Sequence, residues 1–357
     1  MKWTKPKGYS NSKVDWAGSV LISDTTDPQE TDAALDVLDN WRAIHKYPLH
    51  VFKVRLKQVS EKMDPEALAV QRLKRLPSIL FKLKRKYHGK EPTMKLSQMQ
   101  DIAGCRAVMS NMDLVKKIYK EGYIKSDLKH KKVNEKDYIT HPKDDGYRSI
   151  HLIYRYKSDK EGKKEYNGLL VELQIRTKLQ HQWATAVETV DFFTRQAIKS
   201  HEGTPEWVDF FKLVSSAFAV MEKTSPVPNT PLYKNELYSQ IKKKEEELKV
   251  VKIMSGWTEA IKVFESVHRD KQRFQYFLLE LDIAGGKLNI TSYSKGREEK
   301  AILDYSHAEK RNQGKKEYDV VLVGVDAAND LRKAYPNYFA DTKEFLEHLK
   351  RIIAKAN

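Results

Sequence analysis

Pro226, Pro228 and Pro231 stand within six residues of one another. Each lacks a backbone donor and locks φ, so neither a helix nor a central strand can run through residues 224–231. A chain of 357 residues is therefore expected to divide at a linker, 225–231, into a larger domain, 1–224, and a smaller one, 232–357. Both parts are long enough to bury a core. Hydrophobic residues make up 40% and charged residues 32%, proportions that exclude an intrinsically disordered chain. No apolar run reaches the length of a membrane span, and Met1-Lys2-Trp3-Thr4 lacks the apolar core of a signal peptide. Cys105, the single cysteine, cannot form an internal disulfide, so the expected location is the reducing cytoplasm.

Hydrophobic periodicity places the elements. Helical spacing runs over 30–47 (Ala34, Leu35, Leu38, Trp41, Ile44), and a second helix is expected over 49–63. Asp64-Pro65-Glu66 has the form of a helix start, and the basic run 72–86 reads as helical with an interruption near Pro77. Residues 102–109 read as a buried strand with Cys105 as a small core residue, and 113–121 as a helix. Residues 149–157 and 168–176 read as antiparallel partners, followed by helices over 178–198 and 205–223. Beyond the prolines, charged helices are expected over 232–267 and strands over 274–283, 287–294, 298–309 and 317–325, with Gly285-Gly286 as a hairpin turn. Asp341-Thr342-Lys343-Glu344 opens a C-terminal helix. The expected class is α+β: a mixed sheet flanked by helices, followed by a smaller α+β domain.

The net charge of +16 favours polyanionic partners such as nucleotides, tRNA, the ribosome or acidic membranes, although solvated lysines such as Lys242-Lys243-Lys244 also serve solubility. On a helix, Arg75, Lys82 and Lys86 share a face that can gather around a triphosphate, or can simply be solvated. Asp101 opens one strand and Glu172 lies inside another. Two carboxylates brought together from separate strands repel unless a divalent cation joins them, or unless Arg106 or Arg176 neutralises one. Residues 137–151 form a turn-rich loop in which Gly146 supplies backbone freedom. Tyr147 stands at its end, where it can stack on a base, with Lys143, Arg148 and His151 nearby for phosphate or ribose.

These residues together resemble the synthetase domain of the RelA/SpoT family. Arg72-Leu73-Lys74 with Ser78-Ile79 and Lys82 resembles its ATP-binding helix, and Asp101-Ile102-Ala103-Gly104-Cys105-Arg106 its magnesium-binding strand. Asp137-Tyr138-Ile139 through Gly146-Tyr147-Arg148-Ser149-Ile150-His151 resembles its acceptor loop. Val171-Glu172-Leu173-Gln174-Ile175-Arg176-Thr177, followed by Trp183-Ala184, resembles the strand of the second catalytic acid. The resemblance implies a nucleotidyltransferase-like mixed sheet and transfer of the β,γ-pyrophosphate of ATP to a 3′-hydroxyl, releasing AMP. It further implies that Arg72, Lys74, Lys82 and Arg106 hold ATP and that Asp101 and Glu172 hold Mg2+. Glu172 would also help deprotonate the attacking hydroxyl. Tyr147 would stack on the acceptor base, with Lys143, His151 and Gln174 around it.

Departures from the family pattern bear on the acceptor. The hydrolase domain of long members has no counterpart, and Asp144-Asp145 stands where nucleotide-making members commonly carry asparagine before the glycine. Lys178-Leu179-Gln180-His181-Gln182-Trp183 adds basic character. In these respects the chain resembles toxic small alarmone synthetases that modify the 3′ end of tRNA, and above all the CapRel type, in which an antitoxin domain is fused to the toxin. That resemblance implies a phage-defence enzyme that blocks translation and is released by a phage protein acting on residues 232–357. Synthesis of (p)ppGpp from GDP or GTP is the alternative, and a non-catalytic RNA- or ribosome-binding protein a further one. If the second domain inhibits, Tyr335, Tyr338 and Phe339 are the aromatics expected to cover the adenine face, unless they are ordinary core residues.

Overall fold

The computed structural model describes residues 3–24, 27–74, 76–86, 91–194, 205–251, 254, 274–282, 285, 287–294, 296–312, 318–324 and 343–356. Three helices open the chain: α1 (Asn11–Val20), α2 (Pro28–Ile44) and α3 (Lys46–Met63). Asp27 caps α2 by accepting the Gln29 N–H at 3.3 Å, and Pro28 takes the first helical position, where a missing donor costs nothing. Asp64 does not start a helix. It ends α3 with extended backbone, as the residue before Pro65 must, and its carboxylate accepts from the backbone N–H and hydroxyl of Ser110 at 2.7 and 3.1 Å. Asp64 Oδ1 also accepts the Glu66 N–H at 3.1 Å, the bond a helix start would make, but the chain closes only a turn there, on a carboxylate shared with a partner 46 residues away.

The chain instead enters a strand, β1 (Leu68–Leu73), and only then a short helix, α4 (Leu76–Lys84). The expected basic helix over 72–86 is therefore wrong for Arg72, which lies on β1, and for Lys74, which follows it. Pairing with β2 (Ala103–Met109) overrides the local helical pattern. After β2 come α5 (Met112–Lys117), a π-helical turn (Ile118–Ile124), β3 (Lys131–Asp137), β4 (Ile150–Arg155), β5 (Leu170–Thr177) and α6 (Lys178–Thr194). The five strands form one mixed sheet in the order β1-β2-β5-β4-β3, parallel only between β2 and β5. β3 escaped the sequence reading because it is a lysine-rich edge strand without an apolar alternation, a composition that protects an edge.

Strand parity divides the sheet into two faces. Helix α3 packs across β1, β2 and β5, and the Cys105 thiol on that face reaches the Leu49 carbonyl at 3.6 Å. Cys105 is a buried core residue, as expected, and burial pushes its thiol far above the ordinary range. Arg72, Gly104, Arg106, Glu172, Gln174 and His151, joined by register, share the opposite face.

The chain folds as two compact units, Met1–Tyr138 with Ser149–Lys178, and Ile139–Arg148 with Leu179–Asn357. In the second unit α6, α7 (Pro205–Glu222), α8 (Lys234–Leu248) and the C-terminal α10 (Lys343–Ala354) share one core, in which Phe211 and Phe218 each lie 6.0 Å from Phe345. Residues from both sides of 225–231 contribute to it, and Val227 within that segment is buried, its N–H donated to Ser216 Oγ at 2.9 Å. A three-stranded sheet, β7-β6-β8, is built from β6 (Phe274–Asp282), β7 (Lys287–Ser294) and β8 (Tyr318–Gly324). The expected strand over 298–309 is a helix, α9 (Glu298–Asn312): Ala301 and Ala308, two turns apart, are both buried, and Glu298 and Glu299 stand at its positive N-terminal end. Gly286, Asp341, Thr342, Arg75, Tyr335, Tyr338 and Phe339 lie outside the described residues.

Candidate active site

Antiparallel pairing of β1 with β2 sets Leu73 opposite Ala103, which places Lys74 and Asp101 at neighbouring strand ends. The Lys74 N–H continues the ladder to the Ile102 carbonyl at 2.8 Å. Lys74 Nζ donates to one Asp101 oxygen at 2.8 Å, and Lys82 Nζ, arriving from α4, donates to the other at 2.9 Å. Neither expected arginine neutralises this acid; two lysines do. Burial alone would raise the Asp101 carboxyl, but the ammonium groups of Lys74 and Lys82 outweigh it and hold the carboxyl well below its usual range. Lys74 moves down as well, because burial outweighs the pull of Asp101.

Glu172 occupies the middle of the same sheet face, on β5. Its two oxygens accept from His151 Nδ1 at 2.9 Å and from the Gln174 amide at 2.7 Å, and Gln174 Oε1 accepts from Arg106 Nε at 3.2 Å. The Gln174 amide can take only this orientation, since the carboxylate accepts and the guanidinium donates. Burial and the Asp101 charge push the Glu172 carboxyl up, but His151 and Gln174 prevail and the net direction is downward. Both acids are therefore ionised at neutral pH and close enough for one charge to act on the other.

Asp101, in the turn that precedes β2, and Glu172, on β5, are two ionised carboxylates whose charges interact, a donor set that suits magnesium, which takes one or two carboxylates and completes its shell with phosphate and water. No group of three or more His, Cys, Asp and Glu side chains is arranged to hold a metal by itself among the described residues.

The expected acceptor residues are divided between the two units. His151 and Gln174 stand in the first unit and commit hydrogen bonds to Glu172. Lys143 and Tyr147 stand together in the second, with Lys143 Nζ 5.3 Å from the centre of the Tyr147 ring. Asp145 is buried and accepts the Tyr147 N–H at 2.8 Å, while the Gly146 N–H closes the turn on the Lys143 carbonyl at 2.9 Å. Gly146 has φ +91°, and a Cβ there would meet Trp183 at 2.9 Å and Ser215 at 3.1 Å, so only glycine fits. An asparagine oxygen could accept the same Tyr147 N–H. Asp145 thus serves the turn, a role that asparagine could fill equally.

Arg148, expected beside phosphate or ribose, is buried instead and pairs with Glu222 at the end of α7. The sequence carried no signal for that partner 74 positions away. The bridging role of Gln174 was also missed, although its place two residues from Glu172 on one strand face was a readable clue.

Residues 71–192 match the family described as "Region found in RelA / SpoT proteins". GTP pyrophosphokinase YwaC of Bacillus subtilis is 31% identical over 160 residues, covering 42% of this chain and 73% of that protein. GTP pyrophosphokinase YjbM of the same organism is 29% identical over 154 residues, covering 42% and 70%. The crystal structure of small alarmone synthetase 1 from Bacillus subtilis aligns over 53% of this chain and 93% of its own, with 29% identity and a TM-score of 0.43.

Proposed function

The chain belongs to the RelA/SpoT family and is a pyrophosphokinase of that type, and from this premise we propose that it carries the β,γ-pyrophosphate of ATP to the 3′-hydroxyl of tRNA. The observation that carries the transfer reading is the pair of ionised carboxylates, Asp101 and Glu172, set among Lys74, Lys82 and Arg106. Attack of the 3′-oxygen forms its bond to the β-phosphorus as the bond from that phosphorus to the bridging α-oxygen breaks, and AMP departs. Arg72, Lys74, Lys82 and Arg106 bind the triphosphate, the two lysines exchanging Asp101 for phosphate oxygens. Asp101 and Glu172 would hold magnesium, which would offset charge on the phosphates. Glu172, kept ionised, accepts the hydroxyl proton. Its lowered pKa makes it a weak base, so the proton moves as the new phosphorus–oxygen bond forms rather than before it. Tyr147 stacks on the acceptor base beside Lys143.

The tRNA acceptor is supported by the charge of +16, since phosphate contacts would position an acceptor stem. It is also supported by the residues beyond the family match, which a nucleotide synthetase of the relatives' size does not need. In this reading residues 232–357 restrain the enzyme until a phage protein engages them, and the site of action is the cytoplasm. A second reading, synthesis of (p)ppGpp from GDP or GTP, draws support from the names of both curated relatives and from the turn role of Asp145.

The full-length protein with γ-labelled ATP, Mg2+ and either bulk tRNA or GDP and GTP tests both. Label on tRNA supports the first reading and label on guanosine nucleotides the second. Label on neither, with no AMP released even when lysate of phage-infected cells is added to supply a trigger, counts against transfer and favours a protein that only binds RNA.

A further inference from the structure

We propose that Arg148 and Glu222 are positioning residues that tether the acceptor loop to the end of helix α7, so that acceptor binding depends on an ion pair outside the reacting groups. This rests on reading residues 139–148 as the acceptor loop. Arg148 directly follows Tyr147, and its guanidinium is 2% exposed against 7% for Glu222. One terminal nitrogen donates to Glu222 Oε2 at 2.8 Å and also to the Thr224 hydroxyl. The same Glu222 oxygen accepts from the Gln180 amide at 2.9 Å, so α6 joins the tether.

Helix α7 ends at this point. Lys223 takes the left-handed conformation and Thr224 returns its N–H to the Ala219 carbonyl at 2.9 Å, so the guanidinium also faces the negative end of the helix. Further along the same helix, Ser215 Oγ donates to the Gly146 carbonyl at 2.6 Å. The loop is thus held on both sides of Tyr147, by Ser215 before it and by Glu222 and Thr224 after it.

A cation this deeply buried is an expensive way to hold a turn. Apolar side chains of similar volume would often stabilise as well or better, whereas removing one charge strands the other. Arg148 Nε has no hydrogen-bond partner among the described residues, so the guanidinium is not optimised for stability alone. What the pair supplies is a fixed direction: a planar, multi-donor group orients the backbone beside Tyr147 in a way that apolar contacts cannot. Helix α7 also carries Phe211 and Phe218 against Phe345 of α10, so the helix that holds the loop is the one on which the C-terminal helix rests.

The test measures dissociation constants of the full-length protein for bulk tRNA, for GDP and for ATP, with thermal unfolding alongside. Glu222→Gln should weaken binding of the acceptor that the parent protein binds by about ten-fold or more, with ATP affinity unchanged. If Glu222→Gln fails to fold, the joint replacement Arg148→Leu with Glu222→Leu takes its place. It should restore a cooperative transition and leave acceptor binding weak. A folded double variant with the parent's acceptor affinity would overturn the proposal, as would equal losses of acceptor and ATP affinity. Tyr147→Ala separates the two levels. If it weakens acceptor binding while Glu222→Gln does not, the tether is wrong and the loop reading stands; if it leaves acceptor binding unchanged, both fall.

Discussion

Replacing Asp101 by asparagine nearly preserves the side chain's shape and removes the charge that Lys74 and Lys82 share. The nitrogen–oxygen separations are 2.8 and 2.9 Å, and Asp101, Lys74 and Lys82 are 22%, 17% and 28% exposed. At such distances each attraction amounts to about 6 kcal/mol at an effective dielectric constant of ~20, but the desolvation of all three groups offsets most of it. Fully exposed pairs are worth ~0–1 kcal/mol, and breaking a fully buried pair costs ~3–5 kcal/mol. Groups about a fifth exposed fall between, so Asp101→Asn should cost about 2 kcal/mol of stability, with the larger share from Lys74, the less exposed lysine. Because the folded-state pKa of Asp101 is depressed, its contribution is full above the unfolded value of ~3.9 and disappears as pH falls through the folded value. Urea unfolding of the full-length protein should therefore show the same deficit at pH 7 and pH 5, shrinking only below about pH 4. Turnover should fall by roughly 10^2–10^3, the scale for losing one electrostatic element of a transition-state site. A variant as stable as the parent at pH 7, or a deficit that has faded by pH 5, would refute the lysine clamp.

Glu172→Gln should abolish turnover while ATP binding persists; turnover within ten-fold of the parent would remove Glu172 from the chemistry. His151→Ala takes away a cause that draws the Glu172 carboxyl down, so the acid limb of the kcat–pH profile should move to higher pH, and an unmoved limb would deny the contact a role. Gly146→Ala combines a positive φ with a Cβ 2.9 Å from Trp183 and should cost about 2–4 kcal/mol, read as a lowered Tm with weaker acceptor binding. Cutting the chain after Thr224 strips α8 and α10 from Phe210, Phe211 and Phe218, each worth ~3–5 kcal/mol when buried. The product should aggregate, and a soluble, monodisperse fragment on gel filtration would show that the first 224 residues fold alone.

These predictions lean on contacts of two kinds, and only one kind was readable in the chain. A short buried apolar run located β2, and alternation located β4 with β5 as its partner, because side-chain direction on a strand repeats every two residues and leaves its mark locally. The ordered motifs around Asp101, Gly146 and Glu172 supplied the chemistry, while the shared face of Glu172 and Gln174, a consequence of the same parity, went unused. The burial of Cys105 and the stop imposed on α7 before Pro226 were likewise local consequences of residue type.

What the tertiary structure decided was the choice among partners that local rules leave open. Residues 68–73 are a strand because β2 lies beside them, Asp64 ties the end of α3 to Ser110 where no helix follows, and Asp101 is neutralised by lysines rather than by Arg106 or Arg176. Arg148 turned from an expected phosphate contact into a buried partner of Glu222. Each outcome depends on a group 19 to 74 residues away. Backbone periodicity specifies where a side chain points from its own element. Which opposite charge or donor meets it there depends on how the elements dock, and that follows from burying the core as a whole.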